Sequence, residues 1–185
     1  MNESESLARL KSGNRKYLES TNQIGDISSR IRRYTAEIGQ HPFAIIVACS
    51  DAREIPEAIF SCGIGELFTI RVAGNVIDES ILGSIEYAAG HLHCPLVVVL
   101  GHTRCGAVAA AISGESSGYI KSITDKVSRA IGCETDDRKA CCLNAQATAA
   151  TIRSAFAEHP ELSGIRVISA LYDISSGEVD FLPEV

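Results

Sequence analysis

Two short, uninterrupted apolar runs, Phe43–Ala48 and Pro95–Leu100, constrain the fold of this chain most strongly. Each run ends in a turn of small and polar residues, as expected of strands that are buried on both faces of a parallel sheet. Two further segments, Glu66–Val72 and Ile165–Leu171, are similar strand candidates. Because helical patterns alternate with these strands, the sequence predicts an α/β fold with right-handed crossovers.

The predicted helices precede the first strand and fill the gaps between strands. They cover Ser4–Leu18, Asp26–Ile38, Ile55–Phe60, Ile81–His91, Cys105–Ile112 and Ala140–Ala157. The first two form a predicted helical arm over residues 1–38, and the α/β core is expected over 40–185. The polar stretch 114–137 is predicted to be a loop with a short helix. A chain of 185 residues is expected to form one domain, with a central, mainly parallel sheet of four or five strands flanked by helices.

The charge balance excludes some classes of partner. The chain carries 17 basic and 23 acidic residues, without a dense basic run, so we expect no nucleic-acid partner. No run approaches the ~20 apolar residues of a membrane span, and the N-terminus is too polar for a secretory signal. Cytoplasmic residence is therefore expected. In a reducing compartment, an odd number of cysteines favours metal ligands or buried thiols over a disulfide framework.

Residues with metal-binding side chains follow two of the predicted strands. Cys49 and Asp51 come directly after the first run, and His102 and Cys105 come after the run at 95–100. Because ligands in open parallel sheets bind beyond the carboxyl ends of the strands, we expect these four side chains to meet. Two thiolates, an imidazole and a carboxylate suit tetrahedral Zn²⁺. Each half alone is a weak signal, since a cysteine after a buried strand usually packs as a small apolar residue.

The same residues lie in motifs that resemble a known family, the β-class carbonic anhydrases. The segments are Cys-Ser-Asp-Ala-Arg at 49–53, Arg-Val-Ala-Gly-Asn at 71–75, Ser-Ile-Glu-Tyr-Ala at 84–88 and Gly-His-Thr-Arg-Cys-Gly-Ala-Val at 101–108. Ala52 replaces the serine of the family's first motif, and Val72 replaces a frequent asparagine of its second. Neither change touches a predicted metal ligand.

The resemblance implies a function and roles for individual residues. It implies reversible, zinc-dependent hydration of carbon dioxide to bicarbonate and a proton, with Cys49, His102 and Cys105 as constant zinc ligands. Asp51 is then either the fourth ligand or, when paired with Arg53, leaves that place to water. A guanidinium that binds a carboxylate through two hydrogen bonds can compete with a metal for it.

The resemblance also implies a substrate pocket and an assembly. Gln40 is expected to donate a hydrogen bond to bicarbonate in the pocket of a neighbouring subunit, while Phe68 and Tyr87 form apolar walls that admit carbon dioxide. The expected assembly is a homodimer or homotetramer.

Three alternatives stay open at this point. The wider family includes hydrolases of carbon disulfide and carbonyl sulfide. A zinc ion that only stabilises the fold is a second alternative, although such a closed site needs neither Gln40 nor an Asp51–Arg53 pair. A redox role for the cysteines is disfavoured because the chain has no Cys-x-x-Cys pair. The metal-like cluster His91-Leu-His-Cys94 is interpreted as structural, and Cys141 and Cys142 cannot both point inward from one helix.

Overall fold

The computed structural model describes residues 1–19, 24–162 and 164–184. Five strands form one sheet: β1 Ala44–Ala48, β2 Leu67–Arg71, β3 Leu96–His102, β4 Arg166–Tyr172 and β5 Val179–Phe181. Their order across the sheet is β2-β1-β3-β4-β5, and every neighbouring pair is parallel except β4 with β5. The predicted α/β fold is confirmed. The short strand β5 was not among the predicted strands, because three residues give no readable pattern.

Seven α-helices accompany the sheet within the described residues. They are α1 Glu3–Glu19, α2 Ser29–Ile38, α3 Pro56–Ile59, α4 Glu79–Glu86, α5 Gly106–Ile112, α6 Lys121–Ile131 and α7 Asp137–Ala157. Short 3₁₀ turns lie at Ala73–Asn75, Gly118–Ile120 and Pro160–Leu162, and a π turn at Tyr87–His91 continues α4. All six predicted helices are present. The segment 114–137 contains α6 after a loop, as predicted, and among the described residues no helix has the length and apolar character that crossing a membrane requires.

Helix α1 begins at Glu3, one residue before the predicted start at Ser4. The side chain of Asn2 accepts a hydrogen bond from the backbone N–H of Glu5, and Glu5 accepts one from the backbone N–H of Asn2, each at 2.9 Å. This reciprocal pair closes the start of α1.

Every residue of β1 and β3 is buried, which explains why the two runs are apolar without alternation. Leu10 of α1 is fully buried and packs in the cluster on one face of the sheet, whereas α2 buries no residue. The predicted arm over 1–38 therefore contains one helix packed on the core and one exposed helix. Residues 20–23 of that arm lie outside the described residues.

Candidate metal centre

The carboxyl ends of β1 and β3 bring the predicted metal ligands to one edge of the sheet. Ala48 lies opposite Leu100 in the parallel pair, so Cys49 and His102 leave the sheet side by side. Cys105 directly precedes α5. The donor atoms of Cys49, His102 and Cys105 all lie within 4.8 Å of one another, and all three residues are buried. The structure thus brings together three of the four residues predicted as metal ligands.

His102 presents one ring nitrogen to this cluster. Its Nδ1 lies 2.9 Å from the backbone carbonyl oxygen of Thr103, which can only accept a hydrogen bond, so Nδ1 carries the proton. Nε2 is buried and has no hydrogen-bond partner among the described residues. A buried nitrogen with a free lone pair is costly unless it finds a partner. A metal ion is a suitable partner, because a hydrogen bond at the other nitrogen is the usual way of orienting a histidine ligand.

The two thiols of the cluster differ in proton affinity. The adjacent Cys105 thiol lowers the pKa of Cys49 to about 4 against the effect of burial, with the His102 ring and the backbone N–H of Gly74 adding to the shift. The same pairing, together with burial, raises the pKa of Cys105. In the metal-free protein the pair therefore holds one proton between its two sulfurs. A soft divalent cation would release that proton and bind both sulfurs as thiolates.

Asp51 lies beside the cluster and is held by Arg53. Arg53 donates through Nε to Oδ1 of Asp51 at 2.9 Å and through Nη2 to Oδ2 at 2.7 Å, a bidentate pair. Hydrogen bonding by Arg53 is the main reason that the pKa of Asp51 is lowered. Oδ2 of Asp51 remains 3.9 Å from Nε2 of His102. Of the two positions that the sequence left open for Asp51, the structure has the one paired with Arg53.

Two charged side chains support the loop that carries Cys49 and Asp51. Neither had a role predicted from the sequence. Glu54 is fully buried, and its Oε2 accepts a hydrogen bond from the backbone N–H of Cys49 at 2.8 Å. Arg71 donates to the backbone oxygens of Cys49 at 3.0 Å and Asp51 at 2.7 Å. Arg71 stands in the motif at 71–75, which was a usable signal. Nothing in the sequence marks Glu54 as buried, because it follows Arg53 in a polar turn.

Gly74 supplies a backbone donor to the centre. Its N–H lies 3.2 Å from Sγ of Cys49. Its φ of 68° is in the left-handed region, and a Cβ there would lie 3.0 Å from Cβ of Ala107. Glycine is therefore required for this segment to approach the sulfur.

The match to a family model agrees with this geometry. The model for carbonic anhydrase matches residues 44–179, which contain the cluster and the Asp51–Arg53 pair. The chain belongs to the carbonic anhydrase family.

Several carbonic anhydrases resemble the chain in sequence or structure. Carbonic anhydrase 2 of Mycobacterium tuberculosis is 41% identical over 127 residues, which are 66% of this chain and 61% of that protein. The carbonic anhydrase of Mycolicibacterium smegmatis is 45% identical over 105 residues, 54% of this chain and 51% of that protein. The chain thus aligns with less than two thirds of the length of these relatives.

Solved structures indicate the class within the family. The β-carbonic anhydrase CafA of Aspergillus fumigatus aligns with a TM-score of 0.72 and 27% identity over 97% of this chain and 89% of that chain. A tetrameric β-carbonic anhydrase of Sordaria macrospora aligns with a TM-score of 0.70 and 26% identity over 83% of this chain and 87% of that chain. The predicted resemblance to β-class carbonic anhydrases is confirmed.

The three predicted substrate residues of this carbonic anhydrase family member have contacts elsewhere in the single chain. Phe68 packs with the apolar cluster on the opposite face of the sheet from α1, and its ring centroid lies 6.3 Å from that of Tyr87. Tyr87 also stacks on His91. Gln40 is exposed and lines a shallow depression beside α2. These contacts do not reach Cys49, His102 or Cys105.

The remaining cysteines and the His91–Cys94 segment make no second centre. Within the described residues, Cys49, His102 and Cys105 are the one group of three such donors found close together. Cys94 is fully buried in the apolar interior, and His93 is exposed, so the structural interpretation of that segment agrees with its environment. Cys141 is buried while Cys142 is partly exposed, as expected for adjacent positions on one helix.

Proposed function

We propose that this chain is a zinc-dependent carbonic anhydrase that converts carbon dioxide and water reversibly to bicarbonate and a proton. The observation that carries the proposal is the buried Cys49–His102–Cys105 cluster beside the Asp51–Arg53 pair. The family match supports the reaction. A bound Zn²⁺ supplies a nucleophilic oxygen at neutral pH, because it makes coordinated water far more acidic.

The residues of the loop have distinct roles in this proposal. Cys49, His102 and Cys105 hold the ion, and Arg53 keeps Asp51 away from the fourth position. Because its pKa is lowered, the Asp51 carboxylate is only an acceptor of hydrogen bonds. An acceptor beside the cluster orients a hydroxyl group by accepting a hydrogen bond from it. The lone pairs of the hydroxyl oxygen are then free to attack carbon dioxide. A site that merely stabilised the fold would need no such pair.

We further propose that a second copy of the chain completes the substrate pocket. Strand β2 is at an edge of the sheet, and α2, which buries no residue, lies beside Gly65 in the turn before that strand. Tyr34 and Ile38 of α2 are exposed, and so is Tyr87, whose ring centroid lies 6.3 Å from that of Phe68 on β2. An exposed strand edge with apolar neighbours is a typical pairing surface. The tetrameric assembly of the Sordaria macrospora relative supports a homodimer or homotetramer here.

Mixing two inactive variants tests this shared pocket. Gln40→Ala removes the proposed hydrogen-bond donor, and Cys49→Ser removes a metal ligand. If Gln40 acts across the interface, subunit exchange creates one site with both residues intact, and activity returns. Mixed oligomers that stay inactive after exchange, as measured by native mass spectrometry and carbon dioxide hydration, would place Gln40 outside the partner's pocket.

Metal removal tests the reaction itself. Chelator-treated protein is expected to lose carbon dioxide hydration and to regain it with stoichiometric Zn²⁺, because the cluster supplies no nucleophile alone. Carbon disulfide and carbonyl sulfide, tested on the same preparation, are expected to turn over more slowly. Faster turnover of either sulfur gas would replace the proposed substrate while leaving the zinc site intact.

We also propose cytoplasmic residence for the protein. All seven cysteines are free thiols, including the exposed Cys133, which suits a reducing compartment. Cell fractionation with antibody detection checks this, and recovery outside the cytoplasmic fraction would contradict it.

A further inference from the structure

A groove separate from the metal centre lies where α6 and α7 meet the segment 73–77. Its volume is about 330 Å³, and none of Cys49, His102 and Cys105 lines it. The proposed carbonic anhydrase activity does not use the groove.

The α7 wall of the groove carries a polar stripe where packed helices normally present apolar side chains. Asn144, Thr148 and Thr151 are spaced four and three residues apart, which places them on one helix face. Asn144 and Thr148 are 1% and 7% exposed. Among the described residues the Thr148 hydroxyl has no hydrogen-bond partner, although it lies at a largely buried position. This hydroxyl is free to donate to a molecule in the groove.

The α6 wall is cationic. Lys126 and Arg129, three residues apart on that helix, both line the groove, and no acidic side chain lines it. Lys126 donates through Nζ to the backbone oxygen of Ile77. Arg129 is exposed and forms no ion pair with any residue in the described part of the chain. Two cations that converge on one groove without a carboxylate favour an anion there.

We propose that this groove binds a small dianion through carboxylate or phosphate oxygens. Arg129 offers a planar pair of donors, Lys126 a point charge, and Thr148 a hydroxyl on the opposite wall. Two positive charges match a doubly charged ligand better than they match bicarbonate, which carries a single charge. The volume of the groove accommodates a ligand of the size of phosphate or a four-carbon dicarboxylate.

The groove shares a wall with the metal centre. Nδ2 of Asn144 donates to the backbone oxygen of Gly74 at 2.7 Å, and the N–H of Gly74 contacts Sγ of Cys49 at 3.2 Å. A ligand that draws Lys126 away from Ile77 therefore acts on the segment that contacts Cys49. We expect dianion binding to change the environment of the backbone amide of Gly74.

Calorimetric titration of the zinc-loaded full chain tests the proposal. Phosphate and succinate, each titrated at constant ionic strength, separate the two sources of oxygen ligands, and uncharged succinamide controls for the carbon skeleton. Saturable binding of at least one dianion is expected. Arg129→Gln should weaken it about tenfold or more, because a charge-assisted bidentate contact is lost. Thr148→Val should weaken it less, since it removes one neutral hydrogen bond.

Lys121→Gln is the matched control. Lys121 lies on the same helix and loses the same charge, but it pairs with Asp125 and does not line the groove. Amide chemical shifts locate the ligand: movement at 126–130, 144–151 and Gly74 supports the proposal. Equal weakening by Lys121→Gln, movement confined to 49–53, or no saturable binding of either dianion would overturn it.

Discussion

Buried cysteines occur in two regions of this molecule, and they differ in proton affinity rather than in exposure. At the sheet edge, the thiol of the neighbouring Cys105 lowers the pKa of Cys49 to about 4, although Cys49 is only 5% exposed. Away from that edge, burial raises the pKa of Cys62 and Cys94 to about 12. The same pairing raises the pKa of Cys105, so only one thiol of the pair ionises readily. Burial alone therefore gives an inert thiol, whereas a buried pair of adjacent thiols supplies one thiolate that can bind a metal.

The largest effect is expected from Cys49→Ser. This change removes a proposed zinc ligand, so zinc should be lost together with carbon dioxide hydration. The loss of activity should exceed the roughly 100-fold that follows removal of residues behind a ligand. Metal analysis and stopped-flow kinetics measure both.

Cys94→Ala is the control for that variant, because it removes an equally buried thiol from the interior. It should keep full zinc content and activity at a modest cost in stability. The comparison between the two regions would fail if Cys94→Ala lost zinc or Cys49→Ser retained it.

A smaller effect is expected from Arg53→Gln. Without the bidentate guanidinium, Asp51 is free to turn toward the cluster and occupy the fourth position. Zinc should remain bound while activity falls by about 10- to 100-fold. Arg30→Gln breaks an exposed Arg–Asp pair of similar length, Arg30 with Asp26, and should leave activity unchanged. Equal losses in both variants would show that Arg53 has no specific role.

Much of the centre was predictable because strand ends are predictable. The apolar runs before Cys49 and His102 fix where both side chains leave the sheet, and Cys105 follows at a fixed spacing. The position of Asp51 was not predictable, since its two arrangements use the same residues. The buried position of Glu54 was also hidden, because burial there depends on tertiary packing rather than on local pattern. The groove between α6 and α7 was not predictable either, because it depends on how two helices separated by a turn pack together.

Glu54 shows whether burial also shifts the pKa of a carboxyl group, as it does for the buried thiols. Burial raises its pKa from an ordinary 4.5 to about 8 in the metal-free protein. The folded state then holds a proton that the unfolded chain releases, so this contribution to stability is full below the unfolded pKa and is lost as the pH rises through about 8. Urea unfolding of the metal-free protein should show this slope, and Glu54→Gln should flatten it.

Glu54→Ala extends the same experiment. It leaves the backbone N–H of Cys49 unpaired in the interior and should cost about 1–3 kcal/mol of unfolding free energy. Glu54→Gln retains an acceptor oxygen and should cost less. Equal costs for the two variants would indicate that the hydrogen bond to Cys49 contributes nothing.

The smallest effect is expected from Cys133→Ser. Cys133 is exposed and belongs to neither region of buried thiols. The zinc content and activity of the variant should match those of the unmodified chain. Its unfolding free energy should change by less than about 0.5 kcal/mol. A loss of zinc would mean that exposed thiols also contribute to the metal site.

Stopped-flow hydration of carbon dioxide by protein with one zinc per chain tests the central claim most directly. Two thiolate ligands donate more charge to zinc than imidazoles would, which makes coordinated water less acidic. The rate should therefore rise between about pH 6.5 and 9. A rate at the level of the buffer, or a flat profile across this range, would contradict the account.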